Sequence, residues 1–175
     1  IYKVNGSLKE TGNLADDYEV GIGSFTNSYG QVRVPTRELT AAQRIELIDA
    51  VMRLGASGGT PTAAALAESG AYMMGTKASS SSFNASVSSS KSGTNYNSSN
   101  YISPLSTKEC SGNGIYLLTD GVPNGGTYSQ ARTMMNNSLS GSNPALSIDS
   151  CTNLSGDSSG RSWGCMVDYA TLLRN

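Results

Sequence analysis

The 175-residue chain has no histidine. Ser-His-Asp and Cys-His catalysis therefore have no base here, and no His-ligated zinc site can form. Charge is scarce as well. Charged residues make up 14% of the chain, Lys plus Arg total 12, and the formal net charge is -1. A nucleic-acid surface or a polybasic membrane patch needs clustered positive charge, which this composition lacks. No apolar run approaches the ~20 residues of a membrane-spanning helix. Only three cysteines occur, Cys110, Cys151 and Cys165, and none sits in a CxxC pair. That argues against a cysteine metal or redox motif, and the odd count leaves one thiol free or paired elsewhere. An initiator Met and a signal peptide are also missing. The opening Ile1-Tyr2-Lys3-Val4 is expected of a piece cut from a longer protein.

Small polar residues fill the space. There are 29 Ser, 14 Asn, 14 Thr and 20 Gly. Low charge with this much Ser, Asn and Gly points to an extracellular, loop-rich surface. The length implies one domain over residues 1–175, large enough to bury about 70% of its unfolded surface.

Tyr2–Val4 reads as a short strand. Tyr18-Glu19-Val20-Gly21-Ile22-Gly23-Ser24-Phe25 alternates as a strand does, and Gln31–Val34 is a second one, demoted to an edge by Pro35. Thr40-Ala41-Ala42-Gln43 has capping-box spacing. The helix it opens carries Ile45, Ile48 and Met52 as its expected inward stripe and ends at Gly55. Thr60-Pro61 reads as the N-cap and first residue of another helix, whose Ala63–Ala67 run allows close packing on a sheet. From Thr76 to Ser103, 16 of 28 residues are Ser or Asn. This segment, about 76–109, is expected to be a surface insertion that is mobile or held only at its ends. Gly114–Gly121 is the apolar run best suited to a doubly buried central strand. Helices are expected over Tyr128–Leu139 and Cys165–Arg174, the latter with Met166, Val167, Ala170 and Leu173 inward. The element order is that of an α/β fold with a parallel sheet.

Two places carry chemistry. One is Gly58-Gly59-Thr60-Pro61-Thr62, a glycine turn feeding a helix N-terminus. The other is Leu117-Leu118-Thr119-Asp120-Gly121, a strand closed by a carboxylate. In an open parallel sheet both would lie on the rim where ligands bind. A Thr60 hydroxyl and an Asp120 carboxylate would suit Mg²⁺ or another hard cation that keeps several waters. Taken alone, each motif is equally a plain loop, cap or turn. A phosphate cradle lacks its Walker lysine, and there is no GxGxxG.

In this order, the two motifs resemble the second and third ligand motifs of von Willebrand factor type A domains. The chain is more narrowly similar to the N-terminal type A domain of type IV pilus tip adhesins, the PilC/PilY family. The supporting stretches are Leu39-Thr40 through Gly59-Thr60-Pro61, then Ser103-Pro104-Leu105, Cys110, Leu118-Thr119-Asp120-Gly121-Val122-Pro123 and Trp163-Gly164-Cys165 before Tyr169-Ala170. The resemblance implies a doubly wound, mostly parallel sheet with a metal-ion-dependent adhesion site. Thr60 would be a direct ligand, and Asp120 a direct or water-mediated one. The family's first motif, D-x-S-x-S after a central strand, is absent, and its place would be upstream of residue 1. Asp157-Ser158-Ser159-Gly160-Arg161 is a poor imitation, with Arg for the second Ser and no apolar strand before it. Mg²⁺, or Ca²⁺ or Mn²⁺, is thus expected in the intact protein and absent or weakly held by this piece. The last strand of the fold is expected beyond Asn175.

Cys151 and Cys165 bracket a 13-residue polar loop. A bridge there would contribute about 3 kcal/mol and imply an oxidising compartment; the alternative is two reduced thiols. Three functions remain. The first is an adhesion module at a pilus tip. It would bind a protein or host-surface ligand with an acidic group, and would contact minor pilins and the C-terminal remainder of the same protein. The second is a structural or force-sensing scaffold without working metal. The third is a magnesium-dependent phosphoryl-transfer enzyme, for which the Val122–Gly126 stretch offers neither a second carboxylate nor a lysine.

Overall fold

Strands β1 (Tyr2–Val4) and β2 (Ser7–Lys9) form one antiparallel pair, and β3 (Glu19–Thr26) and β4 (Tyr29–Glu38) form another. This computed structural model describes residues 2–4, 7–9, 14–27, 29–55, 57–105, 112–119, 121–154, 156 and 158–174. The chain is mixed α/β. Among the described residues every strand pair is antiparallel. Strand β4 runs on through Pro35, past the edge expected at Val34. Its register with β3 slips between Val20↔Arg37 and Ile22↔Val34, which sets Pro35 and Thr36 opposite Gly21. A bulge is where a strand tolerates a residue that cannot donate.

Helix α1 (Ala41–Met52) starts at the expected cap, with the Thr40 side chain accepting from Gln43 N. Its inward face is a correction. Gln43 is its only fully buried residue, and its amide donates to the carbonyls of Val20 and Pro35. Ile45 and Met52 of the expected stripe are 67% and 78% exposed. The polar Gln43 takes the contact because the bulged β3–β4 pair presents the Val20 and Pro35 carbonyls to it.

Helix α2 (Thr62–Met74) begins one residue later than expected, with Pro61 as its N-cap, and ends on left-handed Gly75. Its small residues allow the expected close approach to the sheet. A Cβ on Gly30 of β4 would lie 2.7 Å from the Ala65 Cα. Ala67 and Ala71 are fully buried. The other face of α2 packs on α4 (Tyr128–Ser142) and α5 (Ser158–Arg174). Thr127 and Gln130 close a reciprocal capping box on α4. Helix α5 starts seven residues before the expected Cys165, and its inward face differs too. Cys165, Met166 and Tyr169 are buried, whereas Val167 and Ala170 point outward. Tyr169 fits because Gly70 of α2 has no Cβ to meet its ring.

The Ser/Asn-rich segment is not held only at its ends. It forms α3 (Ser80–Ala85) and a 3-10 turn at Ser88–Ser90, and it contributes Ala78, Phe83 and Tyr101 to the core. Burying a side chain such as Phe83 stabilises by roughly 1.5–3 kcal/mol. The serines satisfy the backbone locally. Ser79 caps α3, Ser90 Oγ donates to Val87 O, and Ser86 Oγ donates to Ser82 O and accepts from Val32 N of β4. Composition alone hides this, because it counts polar side chains without asking where their bonds go.

A buried carboxyl fastens this segment to α2. Glu68 is 1% exposed, and Tyr101 Oη donates to its Oε1 at 2.5 Å. Its Oε2 and the Ser82 hydroxyl are both buried without a partner. Burial pushes the Glu68 carboxyl up to about 7, outweighing the hydrogen bond from Tyr101.

The expected central strand does not form within residues 112–119. That stretch is not a strand and joins neither sheet among the described residues. Ile115 and Leu117 lean on the core, but Tyr116 and Leu118 are 89% and 77% exposed. Apolar alternation makes a buried strand only when strands flank it on both edges, and among the described residues no strand pairs with this stretch.

Candidate functional site

Thr60 lies half-buried just before α2, on a loop entered through left-handed Gly58. Two further loops meet it. The β3–β4 turn comes from one side, where Thr26 Oγ donates to Ser57 O and Asn27 adopts a φ of 53°. The loop after residue 120 comes from the other. Asn124 Oδ1 accepts from Thr60 N at 2.7 Å, and Asn124 N donates to Thr60 O at 3.0 Å. Gly125, at a φ of +85°, passes so close that a Cβ would run into the Asn27 carbonyl oxygen. Glycine is needed on both grounds, conformation and space.

Asp120 lies outside the described residues, as does Cys110. The loop from Gly121 onward, which Asp120 precedes, is the one clamped to Thr60. Among the described residues no three His, Cys, Asp or Glu side chains cluster as a metal would require. By residue type, a threonine hydroxyl and an aspartate carboxylate fit a hard cation in kind but not in number. Asp157-Ser158-Ser159 does not stand in for the first motif, since Ser158 opens α5 rather than closing a strand; Asp157 itself lies outside the described residues.

Cys151 and Cys165 lie at disulfide distance, with Cα atoms 4.6 Å apart. The bridge ties the loop after α4 to the buried side of α5. The same loop is pinned to α4 by Asn136, whose amide donates to Ile148 O and whose Oδ1 accepts from Ile148 N.

The sequence reading missed Asn124. Its signal was the Pro123-Asn124-Gly125-Gly126 turn pattern, which marks a turn but does not say what the turn holds. Comparison with protein-family models, characterised proteins and solved structures finds no match to this chain. No helix among the described residues is long and apolar enough to cross a membrane.

Proposed function

We propose that the chain is a von Willebrand type A-like adhesion module, displayed outside the cell at the tip of a type IV pilus. One observation carries the reading: the two-way hydrogen bonding of Thr60 with Asn124, which holds the glycine-threonine motif against the loop that follows Asp120. Thr60 and Asp120 are the residues that would hold Mg²⁺, Ca²⁺ or Mn²⁺. When bound, the cation supplies an open coordination position for an acidic group on a protein or host-surface ligand. The remaining protein donors would come from chain outside this sequence, and with them the first strand of a doubly wound, mostly parallel sheet. Strand β3, which among the described residues joins a sheet with β4 alone, is consistent with that completion. Minor pilins and the C-terminal remainder of the protein are the assembly partners on this reading, which assigns no catalytic step.

The scaffold reading, without working metal, gains from the lack of an acidic cluster among the described residues. Attachment of cells carrying the full-length protein separates the two. Thr60→Ala and Asp120→Ala are each expected to cut attachment at least about tenfold, as much as chelation does, corresponding to the loss of roughly 1.4 kcal/mol or more. Attachment that survives both substitutions would overturn the metal reading and favour the scaffold.

A further inference from the structure

We propose that the groove between α4 and the 76–105 segment binds a neutral saccharide. It is an open depression of about 410 Å³, inside the ~300–1,000 Å³ range of small-ligand sites. Gln130, Thr133 and Asn137 form one wall, at helical positions i, i+3 and i+7. Ser80 and Tyr96 also line the groove, with buried Met134.

No residue lining the groove carries a charge. Lys77 Nζ, which lies over the Tyr96 ring, is turned to the Tyr96 and Ser99 carbonyls, and no lining carboxylate offers a metal ion a ligand. What the walls offer is fixed hydrogen-bonding capacity. Gln130 Oε1 accepts from Thr127 N, which leaves its amide protons to donate. Thr133 Oγ donates to Ser129 O, which leaves its lone pairs to accept. The Asn137 amide donates to Ala78 O, which leaves its Oδ1 to accept. Each group is oriented by one internal bond and keeps its other function for a ligand, so little ordering cost remains. Donors and acceptors interleaved in this way match hydroxyls, which do both. Tyr96 adds an aromatic surface for the C–H face of a sugar ring. It is held edge-on to Phe83, with ring centroids 5.7 Å apart, and by Lys77, whose Nζ sits 4.8 Å from its centroid. The groove shares no residue with the Thr60 rim, so this proposal does not rest on the metal reading.

The experiment titrates the ¹⁵N-labelled chain with lactose, maltose, chitobiose and mannobiose, and with 3′-sialyllactose as a charged control. At least one neutral disaccharide is expected to give saturable millimolar shifts at the amides of Ser80, Tyr96, Gln130 and Thr133. The charged control should bind no tighter than lactose. Thr133→Trp fills the groove from an exposed position and should weaken binding by about tenfold or more. Thr133→Arg serves if tryptophan disturbs the remaining amide spectrum. Shifts from none of the four sugars, shifts elsewhere on the surface, or a titration unchanged by groove filling would each overturn the proposal.

Discussion

Glu68→Gln is expected to stabilise the protein at pH 8 and to remove most of the pH dependence of its stability between pH 5 and pH 8. The carboxyl titrates near its ordinary value of 4.5 when unfolded and near 7 when folded, because burial disfavours the charged form. The folded state therefore binds the extra proton between those values. Stability from this group is complete below about 4.5 and is lost as the pH rises through about 7. A shift of that size amounts to about 3 kcal/mol. No cation among the described residues offsets the charge. Tyr96, Tyr101 and Tyr169 are the titratable groups that interact with Glu68, and their own hydroxyls are pushed up by burial and by its negative charge. Lys77 and Lys91 are turned to the carbonyls of Tyr96, Ser99 and Phe83. Glutamine keeps the acceptor for Tyr101 and gives the Ser82 hydroxyl a donor, as the protonated acid would. Thermal unfolding followed across pH should show the variant melting about 5–10 °C higher at pH 8, with the two curves converging near pH 5. Parallel curves, or a variant less stable at pH 8, would refute the assignment.

Loss of the Cys151–Cys165 bridge is expected to cost about 3 kcal/mol by the loop-entropy estimate. The cost should fall on α5 first. Its first two turns contain Ser159, Gly160, Ser162 and Gly164, residues that favour the helix weakly, and the next turn opens on Cys165. The bridge holds the buried side of that turn against the preceding loop, and Tyr169 then docks on Gly70 one turn further along. Trp163 is the only tryptophan and sits two residues before the bridged Cys165, so its fluorescence reports on this region. A Cys151→Ser, Cys165→Ser double variant should unfold at lower denaturant and lose Trp163 burial before the α2–α4 core opens. An unchanged denaturation midpoint would show that packing alone holds the helix.

Local signals were legible in the sequence and contextual ones were not. The start of α1 follows from Thr40, whose side chain satisfies a donor three residues on, and α4 starts at the expected Tyr128. The disulfide follows from spacing across a loop. By contrast, residues 112–119 carry an apolar run that reads as a central strand, yet whether it pairs depends on partners elsewhere. The stripe of α1 failed for a related reason. Ile45 and Met52 mark an apolar face, but burial depends on what stands opposite, and Gln43 had carbonyls to meet. The Ser/Asn-rich segment was misread because hydroxyl-to-backbone bonds substitute for apolar bulk around the few aromatics that matter, Phe83, Tyr96 and Tyr101. At the candidate site the threonine motif was legible, and the Asn124 clamp that positions it was not.

The central claim is that Thr60 and Asp120 face one point on the same rim. Paramagnetic broadening by Mn²⁺, titrated into the ¹⁵N-labelled chain, tests it most directly, because transient occupancy suffices even where ligands are few. The account expects weak binding that broadens the amides of Gly59–Thr62 and Thr119–Gly125 first, and that disappears in Thr60→Ala and in Asp120→Ala. Broadening that never concentrates on those two loops, or that is unchanged by both substitutions, would contradict it.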